Sequence, residues 1–294
     1  MINRDLKKTK IIATLGPASS SRETMIEMIK EGVDVFRINF SHADYDLVKK
    51  NVELIRSINQ EYGFNTAILG DLQGPKLRVG VVKEGSFINP GDILTFTNEN
   101  VEGDASRVYM TYERFAKDVK VGERILIDDG KLVFEVIETN QKDIVKAKAI
   151  QGGPLSSKKG VNLPNTAISL PALTEKDIED AKFMLDNEFD WIALSFVRHA
   201  QDIKDLKDLI QNHTNGKQNT PIIAKIEKPE GVENMDEILR ECDGIMVARG
   251  DLGVEIPMEE VPVVQKKLVE AARNHARPVI IATQMMETMI NSLT

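Results

Sequence analysis

Seven short apolar runs, separated by stretches of helical period, constrain this chain more than any other feature of its sequence. The runs span residues 10–15, 34–39, 66–71, 191–196, 221–226, 244–248 and 278–283. Between them Val48, Val52, Ile55, Ile58 and Tyr62 share one helical face, and Ile203, Leu206, Leu209, Ile210 and His213 share another. Val264, Leu268, Ala271, Ala272 and His275 mark a third. Continuous apolar runs of this length are what parallel strands covered on both faces look like, and each amphipathic stretch is the crossover helix that parallel pairing requires. The pattern predicts an α/β fold of the (β/α)8 TIM-barrel type, incomplete, with seven of its eight strands.

The rhythm breaks between residues 77 and 169. Strand-like runs at 92–97, 124–127 and 131–137 replace helical period there, punctuated by Gly and Asp-Gly turns. An all-β domain inserted after strand three is expected, in a loop at the face where barrel chemistry sits. The expected division is residues 1–76 as the first part of the barrel, 77–169 as a β-barrel-like lid, and 170–294 as the second part of the barrel. A barrel closes only when its last strand pairs with its first. The barrel is therefore read as truncated, and the 294 residues alone are expected to be weakly active or inactive.

Charge narrows the partners. Lys and Arg total 38 against 46 Asp and Glu, a net charge of −8, so the overall field repels nucleic acid and an anionic substrate needs a local group of cations. Cys242 is the single cysteine, which suits a reducing, cytoplasmic setting. No apolar run approaches the ~20 residues of a membrane span, so neither membrane nor nucleic acid is expected as a partner.

The polar residues at strand ends carry the chemistry. In Phe36-Arg-Ile-Asn-Phe-Ser-His42 strand alternation points Arg37, Asn39 and Ser41 one way. Singly each reads as loop solvation, but together an Arg suits an anion and the Asn and Ser oxygens suit a hard cation. Ala224-Lys-Ile-Glu-Lys228 places Lys225 and Glu227 on one side, either as a structural ion pair or as charges awaiting a ligand. Asp251, in Ala248-Arg-Gly-Asp-Leu-Gly253, follows its strand end as Glu227 does, so the two carboxylates could share one Mg²⁺ or Mn²⁺. The neighbouring glycines, Gly250 among them, let backbone N–H groups approach a carboxylate. Thr283 either caps the next helix or meets the substrate. Asp71 opens the loop Gly70-Asp-Leu-Gln-Gly-Pro-Lys-Leu-Arg78, in which Lys76 could bring a fixed positive charge beside Asp71, Asn39 and Ser41. His213 and His275 read as core-edge residues, and the methionines as packing.

These segments, with Ser157-Lys-Lys-Gly-Val-Asn-Leu-Pro164 and Ala282 to Met289, stand in an order in which the chain resembles pyruvate kinase over nearly its whole length. The resemblance implies transfer of the phosphoryl group of phosphoenolpyruvate to ADP, giving pyruvate and ATP. It implies Arg37 and Lys225 at the phosphoryl group, with Lys225 stabilising its charge. It places Glu227 and Asp251 on the divalent metal, Gly250, Asp251 and Thr283 on the substrate acid, and Thr283 on the proton path. Asn39, Phe40, Ser41, His42, Arg78 and Lys159 match nucleotide contacts. A homo-oligomer, tetrameric in the full-length protein, is also implied.

Two departures from the family pattern stand out. Many members hold K⁺ at positions matching Asn39, Ser41, Asp71 and the carbonyl of Leu72, and carry Glu where this chain has Lys76. Lys76 together with Leu72, Gln73 and Val79 resembles members that do not need K⁺, so the Lys76 ammonium is expected to replace that ion. The second departure is the absence of the family's eighth strand and C-terminal domain from these residues. Two other functions compete: a metal-dependent pyruvate aldolase or lyase on a related barrel, and a fragment that binds ligand without turnover.

Overall fold

The computed structural model describes residues 8–283. The chain begins β1 (Ile11–Thr14), α1 (Arg22–Lys30), β2 (Val33–Asn39), α2 (Tyr45–Tyr62) and β3 (Ala67–Asp71). Helices start where a side-chain oxygen meets their free N–H groups: Ser21 accepts from Thr24, and Asp44 accepts from Asp46 and Leu47. Gly63 ends α2 in the left-handed conformation, at φ 67°.

After β3 the chain leaves the sheet for β4 (Phe87–Ile88), β5 (Ile93–Thr97), β6 (Arg107–Tyr109), one turn of helix α3 (Phe115–Asp118), β7 (Arg124–Ile127), β8 (Leu132–Thr139), β9 (Ile144–Gln151), β10 (Gly153–Pro154) and β11 (Val161–Asn162). Six of these strands pair in the order β11-β7-β8-β9-β5-β6, and β4 pairs with β10. In β8 Leu132, Phe134 and Val136 are buried while Glu135 and Ile137 face out, the alternation of a half-buried strand. β9 carries the same alternation with small residues, Val145, Ala147 and Ala149 inward around Lys146 and Lys148. Its apolar signal is correspondingly weak.

The chain returns through α4 (Glu175–Asp186), β12 (Trp191–Leu194), α5 (Ala200–Thr214), β13 (Ile222–Ile226), α6 (Pro229–Glu233), α7 (Met235–Glu241), β14 (Gly244–Val247), α8 (Arg249–Glu255), α9 (Val261–Asn274) and β15 (Val279–Ile281). All seven predicted strands form, and they pair in parallel in the order β1-β2-β3-β12-β13-β14-β15. The result is a curled seven-stranded parallel sheet, an incomplete (β/α)8 barrel with a β domain inserted after β3. Helices and sheet share one core built on Phe36, Ile55, Ile68, Leu194, Ile222 and Ile245. Leu69, Ala193, Ile223 and Met246 pack on the inner face of the sheet. The inserted domain has its own core, in which Phe96 lies 5.5 Å from Phe115 and 6.0 Å from Phe134, ring to ring.

Strand ends depart from the predicted ones for local reasons. β12 stops at Leu194 because Phe196 turns the chain at φ 55°. The alternation expected to carry Ser41 with Arg37 and Asn39 ends at Asn39, which instead caps a short 3₁₀ turn, Phe40–His42, by accepting the Ser41 N–H. Tyr62 is exposed and stacks on Phe64, so the face of α2 closes at Ile58. His213 and His275 are half-buried, as expected of core-edge residues. The stretch expected after strand seven, with Met285, Met286 and Met289, lies outside the described residues. Among the described residues no helix is long and apolar enough to cross a membrane.

Candidate active site at the carboxyl ends of the sheet

Lys225 is the hub. It sits near the end of β13, a strand flanked by β12 and β14 and buried along its length. Its Nζ lies 3.1 Å from Asp71 Oδ1 and 3.0 Å from Glu227 Oε1, and donates to Ser195 Oγ at 2.6 Å. Ser195 passes the polarity on by donating to the Leu72 carbonyl at 2.7 Å. Burial works against the ammonium, yet Glu227 and Asp71 hold its pKa above the ordinary lysine range. An ammonium paired with two carboxylates thus stands where strands β3, β12 and β13 end.

Arg37, on β2, approaches from the other side of Asp71. Its Nε donates to Asp71 Oδ2 at 2.6 Å, its Nη2 pairs with the same oxygen, and its Nη1 donates to Thr14 Oγ1 at 2.9 Å. Parallel pairing sets Arg37 opposite Leu69 and Asn39 opposite Asp71, which brings the Arg37 and Asp71 side chains together. Asp71 therefore carries one cation on each oxygen. Two cations held by one buried carboxylate form a natural receptor for an anion such as a phosphoryl group.

Glu227 is 1% exposed and uses its second oxygen to accept the Phe196 N–H at 2.7 Å. Burial pushes its carboxyl up, Lys225 opposes that, and the nearby charges of Asp251 and Asp71 push it up further. Asp251, in the first turn of α8, is exposed toward the cleft that Lys76, Gly160, Phe196 and Lys228 also line. A buried carboxylate crowded by other carboxylates is a donor set that a divalent cation would relieve, so the residues present fit such an ion. Among the described residues no group of three or more His, Cys, Asp or Glu is arranged for a metal. An ion there would take two protein carboxylates and fill its other positions with substrate or water, the magnesium and manganese pattern.

The remaining expected residues fall around this centre. The Thr283 carbonyl accepts Arg249 Nη2 at 2.9 Å, which ties the end of the seventh strand to the start of α8. Gly250 lies beside Asp251 in the same helical turn. Phe40 has its ring in the core, 5.7 Å from Phe189, so what it offers a ligand is backbone, and its carbonyl accepts Lys176 Nζ at 2.8 Å. Asn39 and Ser41 stand at the rim, and the side chain of His42 lies outside the description. Arg78 Nη1 donates to the Lys158 carbonyl at 2.8 Å, and Lys159 pairs with Asp128 at 3.0 Å, both within the inserted domain. Lys76 is exposed, and its stem passes 3.5 Å from where a Cβ on Gly160 would sit. Asp71 has both oxygens engaged by Arg37 and Lys225.

Several contributors escape a sequence reading. Ser195 is a polar residue at a strand end, the same signal that marks Asp71, and was there to be found. Thr14 and Lys228 carry a similar strand-end signal, and Asp177, within a helix, carries none. Asp177 is fully buried, caps α4 with Thr174, and accepts the Gly74 N–H at 3.1 Å, so it anchors the loop after β3. Gly74 itself needs to be glycine: its φ is 72°, and a Cβ would lie 2.8 Å from the Phe196 ring.

Comparison with known proteins agrees with this geometry. The family described as pyruvate kinase, barrel domain, matches residues 6–293. A pyruvate kinase of Corynebacterium efficiens is 44% identical over 287 residues, covering 97% of this chain and 60% of its own length. Pyruvate kinase 2 of Synechocystis sp. is 47% identical over 291 residues, with 97% of this chain and 49% of the relative covered. A pyruvate kinase of Staphylococcus haemolyticus is 41% identical over 286 residues, again with 97% of this chain covered and 48% of the relative. The chain thus spans about half to three-fifths of the length of these relatives. A parallel barrel with a β insertion after strand three, cations and carboxylates gathered at its strand ends, and a family match over almost every residue together show that this chain belongs to the pyruvate kinase barrel-domain family.

Proposed function

We propose that the chain is the catalytic portion of an enzyme that transfers the phosphoryl group of phosphoenolpyruvate to ADP, giving pyruvate and ATP. The observation that carries this reading is the buried, charged Lys225 ammonium shared between Asp71 and Glu227, with Arg37 on the far oxygen of Asp71. Phosphoryl transfer asks a protein chiefly for positioning and for fixed positive charge, and this centre supplies both. Arg37 and Lys225 bind the phosphoryl oxygens, Lys225 most strongly as charge develops on them. Glu227 and Asp251 hold the divalent cation, Mg²⁺ or Mn²⁺, which when bound offsets negative charge on the substrate oxygens. The N–H groups at Gly250 and Asp251, with Thr283, receive the substrate carboxylate, and Thr283 moves the proton. Asn39, the Phe40 backbone, Ser41, His42, Arg78 and Lys159 receive the nucleotide, with the inserted domain, residues 77–169, as a lid over the barrel parts 1–76 and 170–294.

Lys76 replaces K⁺ in this scheme, a reading that rests on the resemblance. Strong activation by K⁺ over a sodium-free background would overturn it. The full-length enzyme is a cytoplasmic homo-oligomer, tetrameric by the resemblance.

The test is ATP formation from phosphoenolpyruvate and ADP in the full-length enzyme. Lys225→Met is expected to lower kcat about a hundredfold or more with little change in KM, as loss of a charge acting in the transition state does. Unchanged kcat would overturn the assignment, and enolate chemistry without ATP formation would favour the lyase reading. The same assay on the 294 residues alone tests the expected weak turnover. That expectation is supported by β1 and β15 standing at the ends of the described sheet order.

A further inference from the structure

A second buried ion pair, within the barrel, lies where the barrel meets the lid. Lys228 Nζ lies 2.9 Å from Glu255 Oε2, with the two side chains 6% and 0% exposed. The other oxygen, Glu255 Oε1, accepts Asn162 Nδ2 at 2.8 Å, and Lys228 Nζ also reaches the Leu163 carbonyl at 3.5 Å. Asn162 ends β11, on which the chain returns from the lid, and the Val161 N–H donates to the Leu77 carbonyl at 2.9 Å, tying the returning segment to the outgoing one. One carboxylate thus divides its oxygens between barrel and lid.

What the partners are attached to gives the arrangement its meaning. Lys228 directly follows Glu227. Glu255 lies four residues after Asp251 on α8, hence on the same helix face one turn away. Asp251 and Glu255 line one cleft with Asn162. Holding Glu255 against Lys228 therefore sets the position of Asp251 relative to Glu227. Stability is a weak account of such a pair, because desolvation offsets most of its attraction.

We propose that Lys228, Glu255 and Asn162 form one positioning unit that fixes the Glu227 and Asp251 carboxylates relative to each other and seats the returning lid strand on the same helix. This rests on the reading of Glu227 and Asp251 as metal donors, and it makes metal affinity and lid seating respond together.

The whole chain is titrated with Mn²⁺, free ion being read by electron paramagnetic resonance, while hydrogen exchange follows the amides of 161–163. Two variants are compared with the parent: Asn162→Ala, which removes the lid side chain from Glu255 and leaves both buried charges paired, and Lys228→Met with Glu255→Gln, which removes both charges at once. The double variant is expected to bind Mn²⁺ about tenfold more weakly, the size of effect that outer partners of metal ligands exert. Mn²⁺ is expected to slow exchange at Val161 in the parent and to lose that effect in Asn162→Ala. A double variant within about twofold of the parent affinity overturns the proposal. So does an Asn162→Ala chain in which Mn²⁺ still protects Val161 as in the parent. Should the double variant not fold, Asn162→Ala decides alone. A parent chain that takes up no Mn²⁺ refutes the metal reading and this proposal with it, a failure that shows in the parent rather than in the variants.

Discussion

Replacing Lys225 by Met keeps most of the aliphatic stem and removes the charge. Three contacts are lost, to Asp71 Oδ1 at 3.1 Å, Glu227 Oε1 at 3.0 Å and Ser195 Oγ at 2.6 Å. Asp71 keeps Arg37 on its other oxygen, and Ser195 keeps the Leu72 carbonyl. Glu227, 1% exposed, keeps the Phe196 N–H but loses its counter-charge. Removing one partner of a buried pair costs about 3–5 kcal/mol, and with Asp71 still compensated the lower end, about 3 kcal/mol, is expected. Adding Glu227→Gln removes the stranded charge and leaves an amide oxygen for the Phe196 N–H. The double variant should therefore return to within about 1 kcal/mol of the parent.

Trp191 is the one tryptophan of the chain and lies on β12, next to β13, so its fluorescence during a urea titration reports this part of the barrel. The order of midpoints, parent above double variant above Lys225→Met, is the result expected. A Lys225→Met chain within about 1 kcal/mol of the parent, or a double variant no more stable than the single one, would refute the reasoning. Either would mean that Glu227 does not depend on Lys225 for its charge.

Three further outcomes are expected. Gly74→Ala, forced to hold φ 72° with its Cβ 2.9 Å from Ser195 Cβ, should lose about 1–3 kcal/mol in the same titration. Phe134→Ala should cost about 3–5 kcal/mol within the inserted domain. Limited proteolysis should then cut residues of that domain while the Trp191 transition stays near its parent midpoint, because the two cores are separate. Burial works against the Asp118 carboxylate, but the Ser169 and Tyr112 hydroxyls and the Ser169 N–H hold its pKa below the ordinary 3.8. A depressed folded-state value means that its stabilisation is present above 3.8 and is lost as pH falls through the folded value. Hydrogen-exchange protection around Ser169, corrected for the intrinsic rate at each pH, should accordingly fall in acid below that point, and Asp118→Asn should flatten the response.

Much of the architecture was legible because it is written in local periodicity. Each of the seven strands announced itself as an apolar run, and α2, α5 and α9 by their buried faces. β9 was faint because alanines fill its inward positions, and β12 ended early at a left-handed Phe196 that no propensity marks. Rim residues such as Asp71, Lys225, Glu227 and Asp251 stood out as charges following apolar strands. Which charge meets which could not be read that way. The split of Asp71 between Arg37 and Lys225 and the Lys228, Glu255 and Asn162 junction follow from strand register and from the seating of one domain on another. Side-chain period is a property of neighbours along the chain, so sequence alone determined the elements and their faces. Charge pairing is set by distances of a few ångströms between residues far apart in sequence, and only the packed structure decides those.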